Sequence, residues 1–197
     1  MRSLAVIVAL CLAPIVVSLP SSPAEASVVE AMSLAELAQT ADVVIVARVE
    51  GQRSRYDAQG RIVTDVSLRV EESLYGRLAA GSVTQVLRLG GAVGDLGLRV
   101  EGEAVYQTGE TIVLFGRWAS TLEGEALRPL GMSQGVLPMR TENGVEVVSP
   151  GGAGLELVTR DGDGRLVPAP GALSAPRTRD ELLDEIRSLV AERTRGR

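Results

Sequence analysis

Few residues in this chain could carry chemistry. There is no His and no Lys; all 20 basic residues are Arg, and the one cysteine is Cys11. Without His, the commonest general base, the commonest zinc ligand and the near-neutral pH switch are missing together. Ser-His, Cys-His and Ser-Lys nucleophile pairs are excluded on the same ground. A carboxylate pair of the glycosidase kind stays formally open, but the Asp and Glu residues are spread over turns and the polar sides of strands, and nothing marks two as partners. Asp161-Gly162-Asp163-Gly164 is the nearest approach to a calcium loop. An EF-hand would need an oxygen ligand at 165 and glycine at 166, where Arg165 and Leu166 stand, so the reading is a hairpin turn.

One stretch stands apart. Gly90 to Gly102 holds five glycines in thirteen residues, which implies left-handed backbone or close approach of another chain segment. It matches neither G-x-G-x-x-G nor the P-loop pattern, and it runs from strand to strand, not into a helix that could hold a phosphate. A structural bend over a barrel end is one use; ligand contact is the other. A recognition surface, if the domain has one, is expected at Gly90, Gly91, Gly94, Asp95, Leu96, Gly97, Leu98 and Arg99, with Asp95 and Arg99 as polar handles. No cofactor and no metal is expected.

The N-terminus reads as a secretory signal. Arg2 is followed by a nearly unbroken apolar run, Leu4 to Leu19, of about 16 residues, against the roughly 20 a membrane span needs. Pro20 to Pro23 break it, and Ala24-Glu25-Ala26 forms a small-x-small cleavage site, so the mature chain is expected to begin at Ser27. The alternative is an uncleaved anchor, the one route by which the chain would contact a membrane. Cleavage removes Cys11 and leaves one domain-length chain without disulfides, whose stability must come from a packed core. Apolar residues make up 45% of the sequence, enough for such a core.

Behind the candidate residues lies a strand-rich pattern. Ser33 and Glu36 form a capping box that opens a short helix, Leu34 to Thr40. Val43 to Val49 is a β-branched run read as a strand, and Glu50 to Gly60 is read as a turn. Alternation resumes from Arg61 to Tyr75, with Ile62, Thr64, Val66, Leu68 and Val70 on one side. Further strands are predicted at Ser82 to Leu89, Ala104 to Tyr106 and Thr111 to Trp118. Hairpins are predicted over Leu127 to Met132, Gly135 to Arg140, Val145 to Ser149, Leu155 to Thr159 and Arg165 to Val167, with Asn143-Gly144 as a tight turn. Residues 168–177 read as a Pro/Ala/Gly linker. A C-terminal helix from about Arg179 to Arg193 carries Leu182, Leu183, Ile186, Leu189 and Val190 in one stripe.

Ala41 to Val49, then Val66 to Gly76, then Gly109-Glu110-Thr111-Ile112-Val113-Leu114-Phe115 together resemble the strands and turns of netrin-like domains, the group that includes the tissue inhibitors of metalloproteinases. The chain is also similar to bacterial exported proteins without an assigned role. The resemblance spans roughly residues 41–118. It implies a five-stranded OB-type barrel and extracellular protein binding. The animal inhibitors reach a catalytic zinc through an N-terminal cysteine held by disulfides; a chain starting at Ser27 without cysteine cannot use that mode.

The expected fold is therefore mainly β: an OB-like antiparallel barrel over about 41–118, extended by hairpins to 167, with a short N-terminal and an amphipathic C-terminal helix packed on it. A β-sandwich is the alternative. A net charge of −5 and very few aromatics argue against nucleic acid. The expected role is an exported, periplasmic or secreted, non-catalytic binding or inhibitory protein acting on a protease or envelope protein, or else a structural component of the cell envelope.

Overall fold

The structure is a computed structural model that describes residues 27–195; Ala24 and Ala26 of the expected cleavage site lie outside the described residues. In chain order it comprises β1 (Ser27–Glu30), α1 (Leu34–Thr40), β2 (Val43–Tyr56), β3 (Ile62–Tyr75), β4 (Val83–Leu89), β5 (Gly91–Val93), β6 (Leu96–Leu98), β7 (Thr111–Thr121), β8 (Gly124–Pro129), β9 (Val136–Glu142), β10 (Val145–Val148), β11 (Leu155–Arg160), β12 (Leu166–Pro168), β13 (Arg177–Thr178) and α2 (Arg179–Arg195).

Five of these strands close on themselves. β2, β3 and β4 form an antiparallel meander, β7 pairs antiparallel with β2 and with β8, and β8 returns parallel to β4 through Val86 and Leu127. This is the connectivity of an OB-type barrel. The fifth strand, β8, lies beyond Trp118, so the barrel needs more of the chain than residues 41–118. The parallel closure also means the barrel is not wholly antiparallel.

Closure depends on bent strands. The register between β2 and β3 slips at Val44/Ile45, Val46/Ala47 and Val49/Gly51; such bulges bend a strand and raise its twist, which lets a short sheet curl into a barrel. Val43, Ile45, Ala47 and Val49 fill the interior with Val66, Leu68, Val70, Val86, Ile112, Leu114 and Leu127. Val44 and Val46, on the other side of the same strand, lie beneath the two helices with Leu37, Phe115, Leu137, Leu182, Leu183 and Ile186. The unbroken apolar run of β2 is thus explained by burial on both faces, as in strands covered twice.

β9 and β10 form the predicted hairpin and extend the sheet beyond β7, with β13 on the outer edge. A separate three-stranded sheet joins β11 and β12 to β1, which runs parallel to β11 from Ser27↔Leu155 to Glu30↔Val158. Four residues of modest hydrophobicity gave no signal for β1; its partner lies more than a hundred residues away. Gln134 holds its exit in place. Its amide Oε1 accepts from the Met32 amide at 2.9 Å and its Nε2 donates to the Glu30 carbonyl at 3.1 Å.

Several boundaries differ from the sequence expectation. Glu50 to Tyr56 is strand, not turn: only Asp57 to Gly60 reverses the chain, because cross-strand partners carry β2 on through its polar half. Ala104 to Tyr106 is not a strand. It is an extended plug in the barrel end, its carbonyls taken by side chains: Arg88 Nη1 donates to Ala104 O at 2.9 Å and Gln52 Nε2 to Tyr106 O at 2.7 Å. The strand expected at 127–132 is β8, three residues earlier, and Met132–Gly135 is a 3-10 turn. Within residues 168–177, Leu173 is buried and Arg177 pairs with Val148.

Candidate functional site

The glycine-rich stretch folds as its own small hairpin, β5 against β6, reversed at Gly94-Asp95. Its seating on the barrel is specific. Thr64 Oγ1 donates to the Gly90 carbonyl at 2.6 Å, Ser54 and Thr64 hydroxyls lie 2.9 Å apart, and Ser54 Oγ accepts from the Ala92 amide at 3.3 Å. Gly91 (φ 134°) rests directly on this pair: a Cβ there would stand 2.3 Å from Ser54 Oγ and 2.4 Å from Thr64 Oγ1. Only glycine lets the two hydroxyls approach, so the hairpin is held at a fixed angle.

From that anchor the hairpin projects apolar residues into solvent. Leu96 is 62% exposed, Leu98 43%, and Val105 on the following segment 73%. Asp95 sits exposed at the tip. Arg99 is not free, since its Nε lies 2.6 Å from Glu101 Oε1. The eight expected residues therefore fall on one projecting element, with Asp95 unpaired among the described residues and Arg99 engaged within its own loop.

Beside the hairpin opens a groove of about 640 Å³, bounded by Gly91, Leu98, Val100, Val105 and the Gly154 turn, with Arg88 and Glu103 in its wall. That volume lies within the range of ligand pockets. Glu103 is buried and pairs with Arg128, Nη2 to Oε1 at 3.0 Å. Tyr106 is buried too, and among the described residues its hydroxyl has no partner. Burial first, and then the Glu103 carboxylate, push the phenol well above its ordinary pKa, while Arg88 works in the opposite sense. The phenol is therefore neutral at any ordinary pH and available only as a hydrogen-bonding group.

The sequence reading missed Arg88, Glu103 and Tyr106. A signal existed for Arg88: on β4 it continues the inward row of Thr84 and Val86, and a charge on a barrel-facing row needs a partner. Glu103 and Tyr106 had none, because they lie on a plug without strand periodicity.

The Asp161 turn has a different role from the one a D-x-D pattern invites. Asp161 Oδ1 accepts from the amides of Asp163 and Arg165, both at 2.9 Å. Among the described residues no cluster of three or more acidic side chains forms a cation cage, and no helix is long and apolar enough to cross a membrane. Trp118 is half-buried, with the Arg77 guanidinium 4.1 Å above its ring. Comparison with protein-family models, curated proteins and solved structures gives no match.

Proposed function

We propose that the chain is an exported, non-catalytic binding protein that engages an extracytoplasmic protein partner through the β5–β6 hairpin and the groove beside it. The observation that carries this reading is the exposure of Leu96, Leu98 and Val105 around that groove, on a hairpin fixed to the barrel by the Gly91 contact. Exposed apolar residues gathered at one place on a rigid scaffold are what protein recognition surfaces offer. The OB-type connectivity supports the resemblance to netrin-like domains, whose extracellular members bind proteins. The apolar leader and the Ala24-Glu25-Ala26 site support export to the periplasm or the medium.

A structural role in the envelope is the second reading. It is favoured by the second sheet, where β12 and β1 are both edge strands and carry exposed Leu166 and Val28; such edges can join copies of a chain.

The test is affinity capture from periplasmic and culture-fluid proteins, run beside a variant with Leu96, Leu98 and Arg99 changed to Ser. A single partner held by the wild type and lost by the variant supports the hairpin as the surface. No partner in either lane removes the soluble-binder reading and leaves the envelope one.

A further inference from the structure

We propose that the groove beside the glycine hairpin receives the C-terminal carboxylate of an extended, apolar-ended polypeptide, and that Arg88 is the cation that takes it. This rests on the reading of the hairpin as a protein-binding surface and names how the partner is held.

The argument begins with charge. Three arginines lie at or next to the groove. Arg99 is paired with Glu101 and Arg128 with Glu103. Arg88 has no carboxylate partner among the described residues; its Nη1 donates to the Ala104 carbonyl, and its Nε is buried without any partner. A half-buried guanidinium without an anion is costly, and although Nε is buried and Nη1 already serves Ala104 O, the terminal nitrogens keep N–H groups that can donate to a carboxylate. The surroundings select which carboxylate. Leu98, Val100 and Val105 border the same groove together with Glu101 and Glu103; those two carboxylates are already paired with Arg99 and Arg128, so an incoming group meets apolar side chains and, at Arg88, an unpaired cation. The last residue of a chain offers both from a single Cα. An acidic side chain does not, since its own backbone continues on either side. Among the described residues β6 pairs only with β5, so its outer edge offers backbone groups to which an extended segment could add hydrogen bonds. The groove's volume of about 640 Å³ suits a few residues of peptide, not a folded surface.

The experiment is fluorescence anisotropy with the protein in the processed form its host produces. Three dye-labelled hexapeptides are compared: one ending Leu-Val-Leu with a free carboxylate, the same peptide amidated, and the amidated peptide with an internal Glu. The free acid should bind at least about tenfold more tightly than either other peptide. Arg88→Met should reduce the free acid to the affinity of the amide, and Arg88→Lys should restore part of the difference. Thermal melts of both variants establish that they are folded, and Leu98→Ser, outside the polar wall, should weaken all three peptides alike. Equal binding of acid and amide, equal binding of the internal-Glu peptide, or no saturable binding by the wild type would each overturn the proposal. Hairpin-dependent capture of a partner together with equal acid and amide binding would remove this inference and keep the wider reading. Carboxylate-selective peptide binding with no captured partner would do the reverse.

Discussion

Arg193 Nη1, in the last turns of α2, lies 2.6 Å from the carbonyl oxygen of Ala41 at the end of α1, and also donates to Ala38 O at 3.2 Å. The guanidinium sits 4.4 Å from the centre of the Tyr75 ring. One side chain thus satisfies carbonyls that α1 leaves open at its C-terminal end, where the helix dipole also favours a cation. A basic residue in the last turn of α2 would suit that helix's own dipole; in the fold Arg193 serves α1 instead. Arg193→Met keeps the aliphatic stem but removes the charge, and should cost about 2 kcal/mol. Urea denaturation checks this, with a fall in midpoint and an unchanged slope expected; an unchanged midpoint would mean the contact contributes nothing.

The hairpin glycines should differ sharply in their tolerance. Gly91→Ala would drive a Cβ into two hydroxyl oxygens at positive φ, and should cost about 2 kcal/mol or more. Gly97 has no positive φ and its nearest neighbour for a Cβ is the Gly91 carbonyl at 3.9 Å, so Gly97→Ala should stay within about 0.5 kcal/mol. Thermal melts of the pair decide it: comparable losses would show that the hairpin's seating is not set by Gly91.

Two hairpins are closed by one chemistry. In Asp57-Ala58-Gln59-Gly60-Arg61, Asp57 Oδ1 accepts from the amides of Gln59 and Arg61 at 2.9 Å each, as Asp161 does from Asp163 and Arg165. Gly60 and Gly164 take φ of 75° and 80°. Partial desolvation raises the Asp57 pKa, but the Arg61 amide, the Arg61 side chain and the Gln59 amide outweigh it and hold the carboxyl below its ordinary value. A carboxylate depressed in the folded state stabilises the fold above its unfolded pKa, and that contribution is lost as pH falls through the folded pKa. Asp57→Asn should therefore lower the denaturation midpoint near neutrality, and the gap to wild type should close as pH falls from about 4 to about 2. A gap that stays constant over that range would contradict the assignment.

Tyr106→Phe is expected to leave stability unchanged or raise it slightly. The hydroxyl is buried and without a partner among the described residues, so removing it lifts a desolvation cost of about 1 kcal/mol. Spectrophotometric titration gives a second check: the Tyr106 phenol should resist ionisation well above the ordinary tyrosine range. A clear loss of stability in the variant would show that the hydroxyl has a partner.

The barrel was legible where local pattern and burial agree. The β-branched run at Val43 and the alternation from Ile62 to Val70 mark strands because each face meets one environment. Ser33 and Glu36 mark a helix start because both partners of the box lie within one turn, and they do bond reciprocally, Ser33 N to Glu36 Oε2 at 2.7 Å and Glu36 N to Ser33 Oγ at 3.2 Å. What could not be read depends on distant segments. β1 exists because β11 lies beside it, and the polar half of β2 is strand because β3 pairs along its whole length. The candidate site divides in the same way. Its glycines and leucines stand out in composition, whereas Arg88 gains meaning only once Ala104 and Glu103 are folded across the barrel end.

The pairing of Ser27 with Leu155, and of Arg193 with the end of α1, sets an order of events. A chain delivered N-terminus first presents β1 and α1 long before either can be fully covered. The meander of β2, β3 and β4 can form early from near neighbours, but β1 must wait for β11, and the part of α1 that α2 covers must wait for α2, both in the last quarter of the polypeptide. Contacts that span so much sequence slow the final closure, and they leave a period in which β1 and α1 are not yet fully covered. Moving Arg177–Arg195 ahead of Ser27 by circular permutation should bring α2 early to α1 and speed that step of refolding, as stopped-flow kinetics would show, while the β1–β11 pairing still waits for the end of the chain.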